Sequence, residues 1–139
     1  MLLAARAGLG LLAVSCLLGI WTGGQGTALQ AAGLPPETLG TAGVLKFPHG
    51  AALHAVQWLP LVAWAGRRAG LAVTARTRCV AWSAAGSLLF CGYAVAQTLL
   101  GRARCDATPL TAGLLAAAVA MLAVPAAWIA VRRIAGPRP

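Results

Sequence analysis

Residues 109–131, PLTAGLLAAAVAMLAVPAAWIAV, run for 23 positions without a charged side chain. As a helix rising 1.5 Å per residue, that stretch is about 35 Å long, enough to cross a hydrocarbon core of about 30 Å. A helix satisfies its own backbone polar groups, so a long uncharged run of this kind reads as a membrane span. Working outward, three more apolar runs appear: 79–101, 47–66, and 2–21, the last interrupted only by Arg6. The expected fold is therefore all-α, an integral membrane four-helix bundle in one domain over residues 1–139. Its longest connection is an outer loop over 22–46.

Composition agrees with that expectation. The chain is 60% hydrophobic and 9% charged, whereas soluble domains average about 45–50% apolar and roughly 25% charged. Eleven Lys and Arg stand against two acids. Such a balance can signal nucleic acid, but here the basic residues lie between apolar runs and form no stripe with interleaved aromatics, so no nucleic-acid partner is expected. Short cytoplasmic loops collect Lys and Arg. With the N-terminus inside, Arg6, Arg67, Arg68, Arg76, Arg78, Arg132, Arg133 and Arg138 fall on the cytoplasmic side, and Lys46, Arg102 and Arg104 outside. Eight against three orients the bundle with both termini in the cytoplasm, as a multi-pass protein of the cell membrane. A cleaved signal peptide is the rival reading of the first run, since Ala13-Val14-Ser15-Cys16 resembles a lipoprotein cleavage site. The position three before Cys16 is Ala13 rather than Leu, and Leu17 to Trp21 continue the apolar run, so a span is expected.

Loop 22–46 is rich in glycine and interrupted by Pro35-Pro36. At that length it is expected to be functional or mobile, and it is a candidate lid. Pro125 is expected to kink the fourth span. The four cysteines, Cys16, Cys79, Cys91 and Cys105, form no CxxC pair and have no ligand spacing, so neither a disulfide framework nor a metal site is expected. Only Cys105 lies in a loop, beside Arg102 and Arg104, where thiolate chemistry is favoured.

Polar groups inside spans are costly and by default face the interior. The second span enters from outside carrying His49, His54 and Gln57, which fall within an arc of roughly 140° on a wheel of 100° per residue. The third span carries Tyr93 and Gln97 one turn apart at a comparable depth. These five residues, His49, His54, Gln57, Tyr93 and Gln97, are expected to form a polar ligand-binding pocket in the outer half of the bundle. The bland reading is that they hydrogen-bond the helices together. No cofactor is assigned: a bis-histidine haem needs ligands from opposite sides of the iron, and both histidines share one helix. No nucleophile motif, P-loop or dinucleotide fingerprint is present, although a histidine acid or base acting on a lipid-like substrate stays open.

Residues 40–60, GTAGVLKFPHGAALHAVQWLP, place a histidine, a Leu-His pair five residues on, a glutamine three later and a Leu-Pro. This segment resembles a pattern in uncharacterised small polytopic membrane proteins of high-GC bacteria. The resemblance implies a multi-span bacterial membrane protein and a unit made of His49, His54 and Gln57, with no activity attached. The function expected from these features is binding, or acting on, a small lipophilic or lipid-like ligand. The alternative is an accessory subunit of a larger membrane complex, with membrane lipids, a membrane protein partner or further copies of the chain around it.

Overall fold

A computed structural model of the chain describes residues 1–35 and 44–136. Among these the secondary structure is helical throughout: α1 Leu2–Ala31, α2 Lys46–Leu53, α3 Ala55–Arg68, α4 Val73–Leu99 and α5 Pro109–Ile134. Successive passages run up and down, with α2 and α3 sharing the second. Three helices, α1, α4 and α5, are long and apolar enough to cross a membrane.

Three features differ from the sequence expectation: α1 runs past 21, the second passage is divided, and α4 begins at Val73 rather than at 79, taking in Arg76 and Arg78. The glycines at 23, 24 and 26 do not end α1, which continues through Gln25 and Thr27 to Ala31. Glycine costs a helix about 1 kcal/mol relative to alanine, but the polar side chains here bond back along the helix: Thr22 Oγ1 donates to the Leu18 carbonyl at 2.7 Å and Thr27 Oγ1 to that of Gly23 at 3.0 Å. What lies between α1 and α2 is residues 32–45, and the 36–43 portion of that candidate lid, with Glu37, lies outside the described residues, as does Arg138.

The second passage is divided at His54. Gln57 N–H bonds to the His54 carbonyl at 3.2 Å, an i to i−3 rung, and Trp58 N–H shares that acceptor at 3.0 Å. Pro60 lies just downstream inside α3. It has no N–H to give the Val56 carbonyl and its ring crowds that group, conditions under which the preceding turn tightens. α5, by contrast, runs unbroken past Pro125, which is buried. Its start is fixed locally: Thr108 and Thr111 form a reciprocal cap, with Pro109 at the first helical position, where a missing N–H costs nothing.

Packing relies on small residues. A Cβ on Gly86 would sit 3.1 Å from the Ala118 carbonyl oxygen and 3.0 Å from Leu122, and one on Gly8 would sit 3.2 Å from the Val56 backbone. Those two glycines let α4 approach α5 and α1 approach α3, the close approach that small residues provide in helix bundles. Ala4, Leu11, Ala55, Leu59, Val62, Cys79, Val80 and Ile129 belong to the main core, at the end where α1 and α4 begin and α3 and α5 finish. At the opposite end Phe47, Phe90 and Tyr93 form an aromatic trio with ring centroids 6.1–6.3 Å apart.

Candidate functional site

The five polar residues expected to converge are divided among three places. His49, on α2, turns toward α1. Its Nδ1 lies 2.7 Å from the Ser15 carbonyl oxygen, which can only accept, so Nδ1 carries the proton and donates. Ser15 Oγ, fully buried, lies 3.1 Å from the same nitrogen and donates to the His49 carbonyl at 3.0 Å. Gly19, one turn after Ser15, makes room for the imidazole; a Cβ there would fall 3.1 Å from two ring atoms. The result is a clasp between helices. Ser15 was not among the expected site residues, although a serine inside an apolar run was the available signal.

Tyr93 and Gln97, on α4, hold the turn that follows their own helix. Tyr93 Oη donates to the Arg104 carbonyl, and Gln97 Nε2 donates to the carbonyls of Ala103 and Asp106 at 2.9 and 3.0 Å. Gly101, at φ 61°, ends α4 in the left-handed conformation, and Arg102 N–H closes back on the Gln97 carbonyl, the usual glycine-capped helix ending. Arg102 then pairs with Asp106 at 2.7 Å. These side chains satisfy loop backbone that would otherwise be unpaired. Among the described residues the buried Gln97 Oε1 has no hydrogen-bond partner, so one acceptor remains.

His54 and Gln57 are exposed. They touch each other, His54 Nδ1 to Gln57 Oε1 at 3.3 Å, and neither is bonded to Tyr93, Gln97 or His49. A wheel drawn through 49–57 placed all three on one face. The break at His54 interrupts the ladder on which that wheel depends, and each half of the passage takes its orientation from its own neighbours. α2 packs on α1 and α4, while α3 buries Ala55, Leu59, Val62, Ala63 and Gly66.

Beside His54 lies a groove of about 270 Å³ between α2, α3, α4 and α5, lined by Ala51, Ala55, Trp58, Ser87, Phe90 and Leu122 as well as His54. Its walls are largely apolar. Among the described residues the buried Trp58 indole nitrogen has no hydrogen-bond partner, nor has Ser83 Oγ one turn before Ser87. Ser87 itself donates to the Ser83 carbonyl at 2.9 Å. On the outward side of α3, His54, Gln57, Leu61, Trp64 and Arg68 are all exposed. Their spacing of three, four, three and four residues forms a heptad seam opposite the buried face. The Arg68 guanidinium lies 5.5 Å from the Trp64 ring centre.

Charge is segregated as well. Arg68, Arg132 and Arg133 surround a cavity of about 150 Å³ at the end where α3 and α5 finish, whereas Asp106 sits at the other end with Arg102. Among the described residues no three of His, Cys, Asp and Glu come together as a metal site would require. No known protein family, characterised protein or solved structure matches this chain.

Proposed function

We propose that this chain is a four-span integral membrane protein with both termini in the cytoplasm, and that it works as a docking subunit, engaging another membrane-embedded chain through α3. The membrane reading is supported by the large apolar side chains on the outside of the bundle: Leu9, Leu17, Ile20, Trp82, Leu88, Leu110, Val119 and Val131 are all exposed. Apolar surface on that scale suits lipid rather than water. Lys46 to Arg68 together supply a fourth passage of about 33 Å despite the break.

The docking reading is carried by one observation: His54 and Gln57 point outward near the middle of a passage. They lie about 12 and 16 Å along it from Lys46, where lipid offers no hydrogen-bond partner. Polar groups at that depth normally face a protein neighbour. The test is a photo-crosslinking residue at position 61 on the same seam, with position 88 on α4 as control. A discrete protein adduct from 61 and lipid adducts from 88 are expected; lipid alone from both positions removes the docking reading.

A second reading is favoured by the groove beside His54. Its apolar walls and its serine and tryptophan suit a lipophilic molecule carrying one polar group, and this is where the ligand expectation now rests rather than on the outer-half cluster. Filling the groove with Ser87→Phe is expected to displace any ligand that survives mild detergent extraction, as read by native mass spectrometry. Equal retention in the variant counts against it.

A further inference from the structure

We infer that the partner engaged by the α3 seam is a second copy of this chain, related by a two-fold axis along the membrane normal. This inference rests on the docking reading above and adds the identity of the partner. Its basis is the hydrogen-bonding inventory of the outward pair. When His54 Nδ1–H donates to Gln57 Oε1 across the 3.3 Å contact, the atoms left over are one acceptor, His54 Nε2, and the two N–H donors of the Gln57 amide. With the opposite tautomer and amide orientation, the atoms left over are two donors, His54 Nε2–H and the second N–H of Gln57, and one acceptor, the Gln57 carbonyl oxygen. The pair is therefore complementary to itself.

A two-fold axis brings each surface patch against its own copy, so residue i meets j and j meets i. Across such an axis Gln57 of one copy bonds to His54 of the other, and the reverse bond forms at the same time. The result is a closed ring of four hydrogen bonds, two within and two between copies. Copies inserted with the same orientation present their seams in parallel, and the 3-4 spacing of His54, Gln57, Leu61 and Trp64 suits a shallow left-handed crossing with Leu61 facing Leu61. A polar layer in an otherwise apolar heptad seam fixes register in this way. Arg68 does not oppose the pairing, because its guanidinium lies over Trp64 of its own helix, at the end of the passage rather than within it. His54 and Gln57 are exposed, so replacing either leaves the interior of the bundle untouched.

The experiment places Leu61→Cys in a chain whose exposed native thiols are removed by Cys16→Ala and Cys105→Ser, and oxidises native membranes with copper phenanthroline. A disulfide-linked dimer is expected, with Leu88→Cys remaining monomeric. In reconstituted vesicles diluted with excess lipid, energy transfer between labelled copies then measures association. Gln57→Leu and His54→Leu are each expected to weaken it about eightfold, the worth of two interhelical hydrogen bonds of average membrane strength. The double variant is expected to be no weaker than either single, since each change removes the same two bonds. Additive losses, or unchanged association in both singles, overturn the inference. Absence of the Leu61→Cys dimer also overturns it, while a photo-adduct from position 61 to a different protein leaves the docking reading standing; lipid adducts alone remove both.

Discussion

His49 and His54 occupy one passage, five residues apart, and meet opposite surroundings. The first is locked against Ser15 of α1 by three contacts of 2.7–3.1 Å; the second is exposed, and among the described residues its one side-chain hydrogen bond is to Gln57 at 3.3 Å. The residue type is the same, so the difference lies in what packs beside it. An imidazole with a buried partner on a neighbouring helix serves stability. One whose only partner lies on its own helix leaves hydrogen-bonding capacity for something outside the bundle.

Substitutions can break or sharpen that contrast. The largest effect is expected from Gly19→Leu, which drives a side chain into the His49 ring, where even a Cβ would lie at 3.1 Å. Overpacking of this kind costs about 1–3 kcal/mol, and the clasp is lost as well, so the melting temperature in detergent should fall furthest here. An unchanged melting temperature would mean that α1 and α2 are not seated as described. His49→Ala should follow, costing about 1–2 kcal/mol from lost packing and the lost Nδ1 hydrogen bonds. The loss is limited because Ser15 Oγ keeps its bond to the backbone carbonyl of residue 49.

Tyr93→Phe is expected to cost about 0.5–1.5 kcal/mol, the net worth of one hydrogen bond. The damage should be local: faster hydrogen exchange across 101–107 with little change in α1. Uniformly faster exchange would place Tyr93 in the global core instead. The smallest effect on folding belongs to His54→Ala, expected within about 0.5 kcal/mol of wild type by thermal denaturation in detergent, as exposed positions usually are. If His54→Ala proves as damaging as His49→Ala, the contrast between the two histidines collapses.

Thiol labelling probes the surroundings of the bundle independently. Cys16 and Cys105 are both exposed on the protein, and Cys79 and Cys91 are buried. In a membrane only Cys105, in the turn held by Tyr93 and Gln97, meets water. A charged maleimide applied to intact membranes should therefore label Cys105 and spare Cys16, and both should react in detergent with an uncharged reagent. Equal labelling of the two by the charged reagent in membranes would contradict a lipid-covered α1.

Much of the helical plan was legible in the sequence, and the misses have physical causes. Charge-free runs announced α4 and α5, because that signal is local. The end of α1 lies beyond the expected one, since its glycines sit beside threonines that bond back along the helix. The seam was also present in the sequence as the 54, 57, 61, 64, 68 spacing. The rule that polar residues in a span face inward hides it, because that rule applies to a bundle complete by itself.

By itself the sequence determined that the described chain would be helical, that it would carry long apolar runs, of which three form helices long and apolar enough to cross a membrane, and that its polar groups would be few. Backbone hydrogen bonding and side-chain transfer free energy are properties of short segments and need no partner to act. The tertiary structure alone decided which polar groups are spent. It gave His49 to Ser15 and gave Tyr93 and Gln97 to the 101–107 turn, and it left His54 and Gln57 facing out. That outcome depends on the rotation of α3 about its own axis after the break at His54, and rotation is set by its neighbours, with Gly8 of α1 allowing the close approach to Val56.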